Sequence, residues 1–247
     1  MLALASVFGP QGPLHLLYLA AIAALIGGLA AVERKGALQL MLSRPIVLAP
    51  LLGWALGDAE GGLMLGVPLE LLFLGGVNLG GNLPDNETLL AGAVTSMVVP
   101  AGLAGRGTEP VLAALGLALL APLAVAGRRL ERASERRNGE LAALALERAA
   151  GGDPTAARLN LRGLLLPFVA TASICALCVL CSPLLAAVRR HCPHRLELGL
   201  EGSWHVLWAL AAATAIRAIR DARAPALATF GALAVAAMAF AFRMLVR

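Results

Sequence analysis

Eight apolar runs take up most of the 247-residue chain, near 14–32, 37–57, 61–80, 88–105, 110–127, 163–188, 203–219 and 225–243. A helix needs about 20 residues to cross a hydrocarbon core of roughly 30 Å. Several runs fall short of that length or are interrupted by Gly and Pro. They imply an all-α, polytopic transmembrane protein with some short or re-entrant segments, and eight runs need not mean eight full spans. The bulk numbers agree. The chain is 59% hydrophobic and 14% charged, with a mean hydropathy of +0.80, against about 45–50% apolar and about 25% charged for a soluble domain. No Lys or Arg precedes Arg34, so the basic flank of a cleaved signal peptide is missing. The run His15 to Val32 therefore reads as a retained membrane segment.

Charge divides the chain into three regions. Residues 1–127 carry 4 basic and 7 acidic side chains, and residues 128–247 carry 16 and 8. Basic loops beside apolar spans mark the cytoplasmic side, so the basic excess does not point to nucleic acid. The water-exposed stretch is 128–162, where eight arginines interleave with acids at helical spacing, such as Glu131 with Arg132 and Arg136. One or two surface helices with i,i+4 support suit it. A break falls at Gly151-Gly152-Asp153-Pro154, with Asp153 as an N-cap and Pro154 at the first helical position. The expected organisation is membrane segments over 1–127, a cytoplasmic helical loop over 128–162, and further membrane segments over 163–247. Helix 163–188 then runs outward and 203–219 inward, which leaves the basic run RRHCPHR at 189–195 outside, against the rule.

Several motifs dissolve on inspection. Cys175, Cys178 and Cys181 have iron–sulfur spacing, and Cys192 follows, but Ala, Leu and Val fill the gaps between them in an apolar helix. Such cysteines pack as small hydrophobes, and no metal is expected. The four histidines share no ligand spacing with carboxylates. Asn86-Glu87-Thr88 is a chance glycosylation triplet. Gly75-Gly76 and Gly80-Gly81 lack the strand–turn–helix setting of a nucleotide fingerprint. No nucleophile–base constellation is readable, so no catalytic residue and no cofactor is assigned. The Gly pairs 57/61, 62/66 and 76/80 have the small-xxx-small spacing of closely approaching membrane helices.

What remains is the stretch PLELLFLGGVNLGGNLPDNETLL, residues 68–90. A charge at the bilayer centre costs about 2.5–3.5 kcal/mol on insertion scales, so such residues face protein or a wet cavity and mark pathways. Asp85 and Glu87 have a bland alternative, a polar loop over 82–88 in which Asp85 caps a helix starting near Thr88. Glu70 has apolar flanks and less excuse. The expected segment is a short, glycine-broken one over 68–81.

Over residues 43–95 the chain resembles the IIC subunit of mannose/fructose/sorbose-type sugar phosphotransferase systems. Arg44-Pro45, Leu56-Gly57-Asp58, Gly61-Gly62, Gly66, Leu69-Glu70-Leu71, Leu74-Gly75, Asn78, Gly80 and Pro84-Asp85 carry the resemblance. It implies a permease subunit in a bacterial cytoplasmic (inner) membrane. Such a subunit pairs with an IID membrane subunit as a trimer of heterodimers, and it moves a sugar that soluble IIA and IIB proteins phosphorylate. Its own histidines need carry no phosphate, and by itself it is not an enzyme. The sugar-pathway residues expected here are Glu70, Asn78 and Asp85, acceptors and a donor for sugar hydroxyls. Two other readings stand beside this one: a transport-inactive membrane scaffold or regulatory relative, and an ion-coupled secondary transporter using Glu70 and Asp85.

Overall fold

The computed structural model describes residues 12–35, 40–74, 85–105, 107–151 and 158–218, with isolated positions 223, 226, 229 and 231. Asn78, Asp153, Pro154 and the run 225–243 as a segment lie outside the described residues. Among the described residues the regular structure is all helical: α1 Pro13–Arg34, α2 Pro45–Leu56, α3 Ala59–Phe73, α4 Glu87–Leu103, α5 Pro110–Leu120, α6 Pro122–Ala150, α7 Arg158–Gly163, α8 Leu165–Arg190 and α9 His194–Ala218. Proline starts four of them, at Pro13, Pro45, Pro110 and Pro122. Its missing N–H costs nothing at that position and its fixed φ is already helical.

Two ends of the bundle organise everything else. α1 runs toward the end where α6 emerges, and α2 starts there. α3 returns to it, α4 departs from it and α8 departs again. α1 and the stretch Leu161–Arg190 are each long and apolar enough to cross a membrane. α5 and α6 together make a third candidate, bent by 41° at the break. α2 and α3, at 12 and 15 residues, extend about 18 and 22 Å. They form a short hairpin within the bundle, not two full spans.

α4 is the centre. Every residue from Thr88 to Gly102 is buried, and α1, α2, α3, α5, α6 and α8 all pack on it. A helix apolar on all sides is stable only when surrounded. Small residues set how close its neighbours come. A Cβ at Gly27 of α1 would lie 2.6 Å from Cys175 Sγ, and one at Gly92 of α4 would lie 3.1 Å from the same sulfur. Cys175 thus fills the three-helix junction of α1, α4 and α8 as a core side chain, with Cys178 also buried one turn on. In the α2–α3 hairpin, a Cβ at Gly62 would lie 2.3 Å from the Ala49 carbonyl oxygen, and one at Gly66 2.6 Å from that of Pro45. The 62/66 pair is the close approach its spacing announced. Gly57 serves differently: its φ of 106° terminates α2 in the left-handed region.

Local expectations are corrected in two places. Residues 68–73 do not begin a segment; they are the last turns of α3, which starts at Ala59 and continues through Pro68. The arginine-rich stretch is helical as expected, in one helix that starts at Pro122, continuous with the end of the apolar run before it, and stops at Gly151 where the break was placed. Glu131 does not pair with Arg132 or Arg136 on its own helix. It turns into the bundle, at 6% exposure.

The misfit basic run also has an account. Arg189 Nε lies 2.6 Å from Glu109 Oε1, and its other nitrogen pairs with Glu197. One arginine, two carboxylates and three helix ends form a local ion cluster at the end opposite α6. Arg189's part of the charge that the loop rule disfavours there is neutralised in place.

Candidate functional site

The end of the bundle from which α6 emerges gathers the chain's buried charge. α1 ends in Arg34 and Lys35, α2 begins at Arg44, α3 carries Glu70 in its last turn, α4 begins at Glu87, and α6 supplies Arg128 and Glu131. Glu87 in a first turn and Arg34 in a last turn both complement the helix macrodipole.

Arg34 is the hub. Its Nη1 lies 3.4 Å from Glu87 Oε1 and its Nε 3.3 Å from Glu131 Oε1. The same guanidinium donates to Thr88 Oγ1 and to the Asp85 carbonyl, each at 3.4 Å. Lys35 pairs with the other oxygen of Glu131. Arg44 Nη1 bridges Glu87 at 3.5 Å and Glu70 at 3.8 Å. Arg128 Nε lies 2.8 Å from Asp85 Oδ1. The ion pairs join four cations, Arg34, Lys35, Arg44 and Arg128, to four acids, Glu70, Asp85, Glu87 and Glu131. That balance is what lets such charge sit inside a bundle, since an unpaired buried ion is strongly unfavourable.

Asn86 joins this network to the fold. Its Oδ1 accepts from Leu89 N at 2.9 Å, capping α4, while its Nδ2 donates to Glu131 Oε1 at 3.1 Å. The cap is therefore Asn86, not Asp85, whose carboxylate faces Arg128. Asn86 is 5% exposed, which leaves the triplet it starts with no accessible acceptor. Glu33 contributes from beneath. Its two oxygens accept from the N–H groups of Met41 and Ser43, each at 2.8 Å, and hold the α1–α2 connection at Met41, whose φ is 59°.

Beside the network lies a cavity of about 420 Å³. Leu69, Leu72 and Phe73 of α3, Leu90 of α4, Leu117, Ala121 and Ala124 of α5 and α6, and Leu207 of α9 form its apolar walls. Its polar groups are Asp85 and Glu87. Apolar walls with a few fixed polar groups, in roughly 300–1,000 Å³, are the usual form of a small-ligand site. Of the residues singled out by sequence, Asp85 lines the cavity. Glu70 does not: Leu69 and Leu72 near it line the cavity, while its own carboxylate turns to Arg44 and accepts from Ile46 N at 3.4 Å, over the start of α2. Asn78 lies outside the described residues. Glu87, assigned to a loop in the bland reading and not among the expected site residues, also lines the cavity. Its position directly after an Asn with cap chemistry was the available signal.

A helical bundle with short helices, long apolar helices and an acid-lined cavity near the start of an arginine-rich helix defines a polytopic membrane protein. The family model described as "PTS system sorbose-specific iic component" matches residues 16–246, and the chain belongs to that family. The mannose-specific EIIC component of Escherichia coli K12 is 33% identical over 92 residues, 37% of this chain and 32% of that protein. The fructose permease IIC component of Bacillus subtilis 168 is 36% identical over 110 residues, 44% of this chain and 36% of that protein. The matches thus span about a third of the length of these curated relatives. Among solved structures, one titled "Structure of membrane protein" superposes with a TM-score of 0.66 at 22% identity, covering 96% of both chains. The cryo-EM structure of the mannose transporter ManYZ with microcin E492 gives 0.53 at 23%, covering 93% of this chain and 88% of that one. These two likenesses establish the fold.

Proposed function

We propose that the chain is the sugar-translocating IIC subunit of a phosphoenolpyruvate-dependent phosphotransferase system in a bacterial cytoplasmic membrane. The observation that carries this reading is the cavity with Asp85 and Glu87 on its wall, beside the buried ion network, in a chain of the IIC family. Two carboxylates fixed by arginines present oriented acceptors to the hydroxyls of a sugar, and charge-assisted acceptors are about twice as strong as neutral ones. Asn78, by its place in the family motif, is assigned to the same pathway as a group that donates and accepts. Residues 128–162 are assigned to the cytoplasmic side by their arginine excess. There α6 faces the compartment that supplies soluble IIA and IIB phosphocarriers. The membrane partner is a IID subunit, in a trimer of heterodimers. Phosphoryl chemistry belongs to the partners.

The ion-coupled alternative is weakened by the pairing of both its carboxylates. Glu70 faces Arg44 and Asp85 faces Arg128, and a carboxylate already neutralised by arginine is a poor cation site. The test is uptake of labelled hexoses by vesicles holding the chain with its IID partner, with and without phosphoenolpyruvate and the soluble carriers. Uptake that depends on phosphoenolpyruvate supports the reading; uptake driven by an ion gradient alone replaces it. A cysteine probe at Gly139, whose surroundings hold nothing within 4 Å, tests orientation. Labelling by an impermeant reagent from outside intact cells would reverse the sidedness.

A further inference from the structure

The two long faces of α6 have opposite characters, and only one is used by the fold. Ala124, Gly127, Glu131 and Ser134 are its buried residues, recurring at alternating steps of three and four. Val125, Arg129, Arg132 and Arg136 follow the complementary 4,3,4 rhythm on the opposite face. By the 3.6-residue period, these four project along one stripe. All of them are exposed.

The stripe changes character along its length. Val125 is 54% exposed and Leu119, just before the bend between α5 and α6, is 58% exposed. That part is an apolar surface on a membrane segment. One turn later the same face becomes arginine. Among the described residues no carboxylate pairs with Arg129, Arg132 or Arg136. Arg132 Nε donates to the Arg128 carbonyl at 3.3 Å, which orients its guanidinium along the helix. Arg128 itself lies off the stripe and is taken by Asp85.

Geometry sets the level. Arg129 and Arg132 stand about 6 and 10 Å further along the helix axis than Val125, and less along a membrane normal if the 41° bend tilts α6 away from it. The polar layer on each side of a hydrocarbon core is about 5–7 Å deep. A helix whose apolar face meets the acyl chains at Val125 therefore places Arg129 among the headgroups and Arg132 just above them, with Arg136 about 16 Å along the axis, its long side chain able to reach back toward the same level.

We propose that Arg129, Arg132 and Arg136 form a binding site for the phosphate of an anionic phospholipid. Guanidinium matches phosphate oxygens bidentately, and basic groups beside an apolar span are drawn to an anionic lipid surface. The site lies outside the sugar cavity, and it stands whether or not the chain transports sugar.

The test uses the purified full-length chain in mixed phosphatidylcholine and phosphatidylglycerol nanodiscs, with retained lipids counted by native mass spectrometry after mild detergent release. The expected result is retention of phosphatidylglycerol over phosphatidylcholine by at least about tenfold, declining as salt rises. The triple variant Arg129→Ala, Arg132→Ala, Arg136→Ala loses that preference. A variant with Arg137→Ala and Arg148→Ala, off the stripe, keeps it. These stripe side chains are exposed, so the triple variant is expected to unfold at the wild-type temperature, and that is checked alongside. Equal retention of both lipids by the wild type overturns the proposal. So does an equal loss in the off-stripe variant, which would make the effect one of bulk charge. Displacement of the lipid by inorganic phosphate at matched concentration would instead reveal a free-anion site. Retention of an acidic protein in place of lipid would assign the face to a protein partner.

Discussion

Glu131, on a helix that turns most of its charges to water, lies 3.3 Å from the Nε of Arg34, at the last turn of the first helix. The contact spans 97 positions of sequence and fastens α6 to the start of α4 through Asn86. A carboxylate held by two cations and an amide inside a bundle is replaceable only as a set. Removing one member leaves the others buried without a partner. Glu131→Ala is therefore expected to destabilise the fold by about 3–5 kcal/mol. Glu135→Ala, exposed on the same helix, is expected to stay within about 0.5 kcal/mol of wild type. Thermal and denaturant unfolding in detergent compares the two. Equal effects would show that α6 is held by its apolar contacts alone.

The hairpin of α2 and α3 makes a second, steric prediction. A methyl at Gly62 would press on the carbonyl of Ala49, which is backbone and has nowhere to go. Gly62→Ala is expected to cost about 1–3 kcal/mol as overpacking. Gly139→Ala, inside α6 with nothing near its Cβ, is expected to gain up to about 1 kcal/mol from helix propensity. A Gly62→Ala protein as stable as wild type would mean that the helices part more easily than their spacing suggests.

Much of this was legible because membrane burial writes long signals. The apolar runs located most helices, and the 62/66 glycine pair marked a real close approach. What failed was local or long-range in kind. Asp85 and Asn86 are adjacent and both suit an N-cap, and sequence cannot say which one an arginine 43 residues away will claim. Glu131 looked like one more member of a solvated i,i+4 ladder. Its burial depends on Arg34 and Lys35 arriving from α1, which no local pattern encodes. Glu70 was singled out correctly as a charge in need of a reason. The reason found is Arg44 and the start of α2, behind the cavity wall.

Asp58 carries the pH prediction. Burial raises its pKa, but the N–H of Gly61, donating at 2.8 Å, and that of Thr108, at 3.3 Å, lower it by more. The net position is below the ordinary 3.8. A carboxylate with a depressed folded pKa stabilises fully above its unfolded value, and that contribution is lost as pH falls through the folded one. Wild type is thus expected to exceed Asp58→Asn in unfolding temperature by a constant margin at neutral pH, with the margin closing below pH 3.8. A margin that persists unchanged to lower pH would assign the strength of Asp58 as the N-cap of α3 to shape and not charge.

Glu87 and Glu70 separate binding from scaffolding. Glu87 lines the cavity and is held by Arg34 and Arg44, while Glu70, which does not line it, shares the same Arg44 nitrogen and accepts from Ile46 N. If the cavity receives sugar, Glu87→Gln removes a charged acceptor from the ligand, a loss of about 1.5–3 kcal/mol, or roughly 10- to 150-fold in affinity. Glu70→Gln is expected to shift affinity less than about threefold, by loosening Arg44, and to show its main effect in stability. Equilibrium sugar binding to the purified complex, read beside unfolding temperature, distinguishes the two. The reverse pattern, with binding lost at Glu70 and kept at Glu87, would move the sugar pathway to the α2 side of α3. It would restore Glu70 as the principal site residue.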